Sequence, residues 1–139
     1  MKFLNTLLLV AVVAAGHSQT VSVMDFVKVE EGRQAEAMYF YEQNWKMYRQ
    51  LALKKGYITD YRIEKTQGDS AAPFNLILIT EYKDSISHAK SEENFSDILK
   101  TTRPNGPLLL NELKPADFRQ PVFVKVTHTV YRNRSRNKR

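Results

Sequence analysis

The segment that decides the fold reads Phe74-Asn-Leu-Ile-Leu-Ile-Thr-Glu-Tyr82. Its centre is apolar at four successive positions, and successive side chains of a strand point to opposite faces. Leu76 and Leu78 would therefore lie on one face, and Ile77 and Ile79 on the other. A strand that is apolar on both faces needs cover above and below. The segment predicts a central strand of a sheet.

The sequence on either side of this strand predicts three more strands and two helices. The predicted strands cover 21–29, 57–66, 74–82 and 122–131, and the predicted helices cover 33–54 and 84–100. Alternating or β-branched apolar residues mark the strands. The connection 101–121 contains four of the five prolines. It predicts one helical turn at 107–113, because proline is favoured at the first position of a helix.

The helix 33–54 has the strongest periodicity in the chain. Its apolar residues recur at steps of three and four, which is typical of an amphipathic helix with a broad buried face. They include Met38, Tyr41, Trp45, Tyr48 and Ala52. Gly56 follows two lysines, and glycine in the left-handed conformation is a common helix end.

The order of elements is β-α-β-β-α-β, which predicts an α+β fold of ferredoxin-like plan. Right-handed crossovers would place both helices on one face of a four-stranded antiparallel sheet. The other face would then expose apolar residues of the first, third and fourth strands. Soluble monomers avoid apolar patches of several hundred Å². We therefore expect a homodimer in which two subunits pack sheet to sheet.

The first 18 residues have the layout of a secretory signal peptide. Lys2 is followed by an apolar run from Phe3 to Ala15 that is too short to span a bilayer, and small residues follow it. This predicts an exported, periplasmic or secreted, protein without a transmembrane span after cleavage. The mature domain would cover 19–131. Cysteine is absent, so this domain has no disulfide.

The formal net charge of +6 comes from the two ends of the chain. Lys2 lies in the predicted signal peptide, and the other basic residues in excess lie in a predicted disordered tail, 132–139. The remaining 15 basic residues balance the 15 acidic ones. A nucleic-acid-binding domain would have its excess charge on the folded body, so none is predicted. The tail could associate with an anionic surface or remain solvated.

Two polar residues interrupt apolar faces of the first and the last predicted strand. Asp25 lies between Val23 and Val27, and His128 lies between Val126 and Val130. The first and last strands would be antiparallel neighbours, with Asp25 opposite 126–128. An Asp–His pair there would act as a catalytic general base. Alternatively, the two residues are a structural polar pair or lie on opposite faces.

Asn44 lies on the aromatic face of the long helix. With Tyr41, Trp45 and Tyr48 it could line a cleft that binds a small apolar ligand, or these residues could be plain core. A buried amide needs hydrogen bonds from the backbone or from a ligand. Three histidines without metal-binding spacing predict no metal site, and the isolated glycines predict no phosphate loop. No cofactor is predicted.

The chain resembles the dimeric α/β-barrel superfamily, in which two ferredoxin-like subunits pack sheet to sheet. The resemblance rests on Val23-Met-Asp-Phe-Val-Lys-Val-Glu-Glu-Gly32, on Lys55-Gly56-Tyr57, and on the 76–82 strand running into Lys83-Asp84. The superfamily includes cofactor-free monooxygenases of antibiotic-biosynthesis type, haem-degrading oxygenases and muconolactone-isomerase-like enzymes. The Asn–Trp–His set of the haem-degrading members is not reproduced, because the first strand has no Asn.

Three functions remain open on this sequence. The first is an exported homodimer that binds a small molecule or has a structural role. The second is a cofactor-independent monooxygenase or isomerase that acts on a small apolar or aromatic substrate. The third is association with an anionic surface through the basic tail.

Overall fold

The structure, a computed structural model, describes residues 19–132. The strands in this range are β1 (Val21–Val29), β2 (Asp60–Lys65), β3 (Leu76–Tyr82) and β4 (Arg119–His128). The helices are α1 (Gln34–Phe40), α2 (Met47–Lys54), α3 (Ser85–Ala89), α4 (Ser91–Thr102) and α5 (Pro115–Phe118). A π-helical segment, Tyr41–Lys46, joins α1 to α2.

The strands form one antiparallel sheet in the order β2-β3-β1-β4. The first and last strands along the chain are therefore neighbours, and β3 lies inside the sheet, as its doubly apolar sequence predicts. The α+β class and the four-stranded antiparallel sheet with helices are confirmed. They are consistent with the ferredoxin-like plan.

One face of the sheet, called here the helix side, holds the core. Near one end, Val27 and Leu78 pack with Tyr41, Trp45 and Phe118 of the helices. Near the other end, the cluster consists of Val21, Tyr48, Ala52, Ile58, Tyr82 and Ile98. Because both clusters combine alternate residues of β1 and β3 with helical residues, both helical connections cover the same face.

The opposite face, called here the outer face, is covered unevenly. Phe26 lies 4.7 Å from Phe74 and 4.4 Å from Phe123, measured between ring centroids. Ile79 on β3 is 1% exposed, whereas Phe123 on β4 is 40% exposed. On β4, the apolar residues of the helix side are also open: Val124 is 55% and Val126 49% exposed. The exposed apolar surface of the sheet is thus concentrated on its β4 edge.

The long helix predicted over 33–54 is present with nearly the same bounds. Helical structure runs without a break from Gln34 to Lys54, and Gly56 has φ of 72°. The Tyr57 amide donates to the Ala52 carbonyl at 2.9 Å, which closes the end of the helix. Periodicity did not predict the π-helical segment in its middle.

Two other predictions of helical structure need correction. The predicted helix 84–100 is two helices: the Asp84 carboxylate caps α3 by accepting from the Ser87 amide at 2.7 Å, and Lys90 lies between α3 and α4. The turn predicted at 107–113 is absent there, and the helical turn is α5. Pro115 takes its first position, and the Lys114 amide donates to the Asp117 carboxylate at 2.7 Å.

The predicted signal peptide, 1–18, lies outside the described residues, as does most of the predicted tail. Arg132, the first residue of that tail, donates to the Glu81 carboxylate at 2.6 Å, and Arg62 binds the other oxygen of that carboxylate at 2.8 Å. Between residues 19 and 132, no helix combines the length and the hydrophobicity that a membrane span requires.

Candidate functional site

A cavity of about 420 Å³ lies between the helices and the helix side of the sheet. We call it the helix-side cavity. Its lining includes five of the six residues that the sequence singled out: Asp25, Tyr41, Asn44, Trp45 and Tyr48. The structure therefore brings together the acid of β1 and the aromatic face of the long helix. Apolar residues such as Leu78, Leu99 and Val124 complete the wall.

The π-helical segment positions three of these residues. Tyr41, Asn44 and Trp45 all belong to it, and each is at most 8% exposed. A π-helical turn is wider than an α-helical one and is often found at functional sites. Tyr48 follows in α2 and is 7% exposed. Burial raises the pKa of the Tyr41 and Tyr48 hydroxyls, although Arg119 and Arg103 respectively oppose the effect.

The side-chain amide of Asn44 is hydrogen-bonded to the backbone. Its Nδ2 donates to the Phe40 carbonyl at 2.8 Å and to the Leu108 carbonyl at 2.9 Å, and its Oδ1 accepts from the Leu108 amide at 2.8 Å. Of the two alternatives for Asn44, hydrogen bonds to the backbone or to a ligand, the structure shows bonds to the backbone. Asn44 instead ties the 103–114 connection to the helix, so it shapes the wall of the cavity. These bonds also hold Leu108 away from the helical turn predicted there.

Asp25 lies on the helix side and faces the helix-side cavity. Its carboxylate has no hydrogen bond and no ion pair within 4.0 Å to any residue of the described range. Burial raises its pKa above the ordinary 3.8, and the positive charges of Arg49 and Arg119 offset only part of this effect. A carboxylate that is partly buried and free of hydrogen bonds is suited to accepting a proton.

The raised pKa of Asp25 has a consequence for stability. The folded protein binds this proton more tightly than the unfolded chain, so the contribution of Asp25 to stability falls as the pH rises from 3.8 through the folded pKa. We expect Asp25→Asn to raise the free energy of unfolding at pH 7 and to leave it unchanged near pH 3. Urea unfolding at both pH values measures this. Asp97→Asn, an exposed control on α4, should show no gain; a less stable Asp25→Asn at pH 7 would contradict the account.

The predicted pair of Asp25 with His128 is wrong. Asp25 pairs with Val124 across the sheet, and His128 pairs with Val21, four residues further along β1. At roughly 3.3 Å per residue the two are about 13 Å apart along the strand. The prediction failed because β4 covers 119–128 rather than 122–131, and the bulge opposite the Phe26–Val27 step offsets only one residue of this shift. His128 is exposed and does not line the cavity.

Three arginines also line the helix-side cavity: Arg49, Arg103 and Arg119. None of them was among the candidate residues predicted from the sequence. The Arg49 guanidinium lies 4.7 Å from the ring centroid of Trp45 and 4.2 Å from that of Phe95. Burial lowers its pKa to about 10. One signal was available for Arg49, because it follows Trp45 by four residues and so shares the buried helix face.

Arg119 and Arg103 reach the cavity from separate parts of the chain. The Arg119 guanidinium carbon lies 4.9 Å from the ring centroid of Phe40 and 5.8 Å from that of Tyr41. Arg103 donates to the carbonyls of Thr102 and Gln43 at 3.3 and 3.2 Å. Both residues depend on long-range packing for their position, so no local pattern predicts them.

Four buried side-chain atoms of the described range lack a hydrogen-bond partner. They are Tyr41 Oη, Trp45 Nε1, Arg103 Nε and Arg119 Nε. Arg119 lowers the pKa of Tyr41 from nearby, but no hydrogen bond of acceptable geometry joins them. All four atoms belong to residues that line the helix-side cavity. Within residues 19–132, no cluster of three or more His, Cys, Asp or Glu could hold a metal ion.

Comparisons with known proteins do not identify a family for this chain. No family model matches the chain, and no curated protein matches it. Among solved structures, the chain is similar to a NIPSNAP family protein with unknown function from Agrobacterium tumefaciens str. C58. The two are 12% identical, with 82% of this chain and 90% of that chain covered and a TM-score of 0.39.

Proposed function

We propose that this protein is an exported homodimer that binds a small, mainly apolar or aromatic molecule in the helix-side cavity. One observation carries the proposal: all four buried, unpartnered polar atoms of the described range lie on residues around that cavity. Buried polar groups in proteins are nearly always hydrogen-bonded, and leaving one unpaired costs about 1–3 kcal/mol. Four such groups around one cavity fit a site whose occupant supplies the missing partners once the lining side chains shift to expose these atoms, which solvent does not reach in this structure.

The size and lining of the cavity support the same function. Small-molecule sites are typically clefts of roughly 300–1,000 Å³ with apolar and aromatic walls and a few polar groups. The helix-side cavity, at about 420 Å³, falls in this range. Phe40, Tyr41 and Trp45 contribute rings on one side, and Leu78 and Val124 contribute aliphatic surface on the other. A plain core at this place would be filled by side chains.

The homodimer is proposed from the β4 edge. Phe123 and Val124 point to opposite faces of this edge strand, and both are at least 40% exposed. An exposed edge strand with apolar side chains on both faces is prone to pair or pack with another chain. A second copy offers the same apolar surface related by a two-fold axis, which is the commonest arrangement of soluble oligomers. Of the two residues, Phe123 supports the sheet-to-sheet dimer expected from the sequence, because it lies on the outer face that this dimer would bury.

Blocking the helix-side cavity tests the binding function. We expect Val124→Trp to fill its open side and to weaken binding of the neutral aromatic probe N-phenyl-1-naphthylamine by about tenfold or more. The matched control is Val126→Trp, since Val126 lies on the same strand and face, is 49% exposed and does not line the cavity. Probe fluorescence gives both affinities. Equal affinity in the two variants, or no binding by the native protein, would contradict the proposal.

A cofactor-independent monooxygenase or isomerase is the second candidate function. Asp25 favours it, because a carboxylate with a raised pKa and no hydrogen bond faces the cavity. Asp25 would act without His128 as the base that removes a proton from the bound substrate. The Asp25→Asn protein tests this: a ligand that both proteins bind but only the native one converts would support catalysis. A ligand that persists unchanged in both would contradict it.

A further inference from the structure

The charges around the helix-side cavity do not balance. Arg49, Arg103 and Arg119 line it, and Asp25 is the sole carboxylate among the residues that do so. The cavity therefore has an excess of two positive charges in a chain whose body between the two ends is neutral. The three arginines are half-buried, and a partly desolvated guanidinium that lacks a counter-charge is costly, so such groups are usually paired. The imbalance indicates that an anion belongs in the cavity.

The three arginines differ in whether their guanidinium groups already have hydrogen-bond partners within the protein. Arg49 donates through its Nε to the Thr80 hydroxyl at 3.2 Å and lies between two rings. Arg103 is held by two backbone carbonyls and by the Met47 sulfur, at 3.5 Å. Arg119 also lies over rings, those of Phe40 and Tyr41, but it has no hydrogen bond of acceptable geometry in the described range, and its Nε is buried without a partner. Arg119 is therefore the arginine free to bind a ligand.

The Tyr41 hydroxyl is a second group without a hydrogen-bond partner, and it lies near Arg119. The Tyr41 side chain is among the most buried in the protein, with 2% exposure, and its hydroxyl has no partner. The Arg119 guanidinium carbon lies 5.8 Å from the centroid of the Tyr41 ring. An oxyanion can accept hydrogen bonds from a guanidinium and a phenol together, and bonds between charged groups are the strongest of their kind. Rings of Phe40 and Trp45 line the adjoining wall.

We propose that the ligand of the helix-side cavity is a small aromatic carboxylic acid, whose carboxylate accepts hydrogen bonds from Arg119 and from the Tyr41 hydroxyl. This inference rests on the proposed binding function and narrows it to one ligand class. The ring of the acid packs against the aromatic wall, and the positive charges of Arg49 and Arg103 add attraction from a longer range. Arg119 thus sets the preference for an acid over a neutral molecule of the same shape.

The test compares acids with their neutral amides. We would titrate the native protein with benzoate and benzamide, and with 2-naphthoate and 2-naphthamide, and follow the indole N–H signal of Trp45 by NMR. Trp45 is the single tryptophan and lines the cavity, so this signal reports on the site. We expect each acid to bind about tenfold more tightly than its amide.

Variants of Arg119 separate the possible outcomes. Arg119→Gln should remove the preference for the acid and leave amide binding unchanged, and Arg119→Lys, which keeps the charge, should retain part of it. Arg33→Gln is the control, since Arg33 is exposed and does not line the cavity. Equal binding of acid and amide by the native protein would overturn this inference and leave the binding function standing. Failure of all four compounds to bind would contradict both.

Discussion

Replacing Asn44 with leucine should lower the free energy of unfolding by about 2–4 kcal/mol. Asn44 is 1% exposed and makes three hydrogen bonds to the backbone, two of them to Leu108. Leucine has a similar volume, so packing is kept while every one of these bonds is lost. The carbonyl of Phe40 and both backbone groups of Leu108 would need new partners, and burial limits their access to water.

Urea unfolding followed by circular dichroism measures the effect. The matched control is Asn111→Leu, because Asn111 is exposed and its side chain bonds the Leu113 amide at 3.0 Å within the same connection. We expect that variant to lose less than about 1 kcal/mol. Limited proteolysis should also cut the 103–114 connection faster in Asn44→Leu. Equal stability of the two variants would show that Asn44 does not hold this connection.

Replacing Phe123 with aspartate should convert the proposed dimer into a monomer. Phe123 is 40% exposed on the β4 edge and contacts Phe26 and Phe74 on the outer face. An unpaired carboxylate buried in an apolar interface costs about 3–5 kcal/mol. A cost of about 4 kcal/mol weakens association roughly a thousandfold. Light scattering at micromolar concentration measures the mass in solution.

Ile86→Asp is the control for this experiment. Ile86 is 72% exposed on α3, away from the outer face, so the same change of chemistry there should leave the dimer intact. Circular dichroism would establish that both variants are folded. A native protein that is monomeric at micromolar concentration, or a Phe123→Asp variant that remains dimeric, would overturn the proposed assembly.

The aromatic half of the candidate site could be predicted, because it lies on one continuous helix. Steps of three and four place Tyr41, Trp45 and Tyr48 on one buried face whatever the rest of the chain does. Of the basic half, only Arg49 lies on the same helix face and could be predicted in this way. Arg103 follows α4 and Arg119 begins β4, so they meet Arg49 only through contacts between distant parts of the chain.

The Asp25–His128 prediction shows the limit of alternation as a guide. Valines at 122, 124, 126 and 130 define a period of two, which is compatible with several registers against β1. The strand begins three residues before its predicted start, and the extra β4 residue at the bulge opposite the Phe26–Val27 step offsets only one residue of this shift. The register therefore placed Val124, not His128, beside Asp25.

The amino-acid sequence by itself determined the order of elements, the long helix that ends at Gly56, and the doubly apolar central strand. These features depend on residues that are close together in the chain, where periodicity and end signals act locally. The tertiary structure alone decided the β4 register, the hydrogen bonds of Asn44 to Leu108 and the meeting of three arginines around one cavity. Each of these depends on contacts between distant segments, which form only when the helices and the sheet pack together.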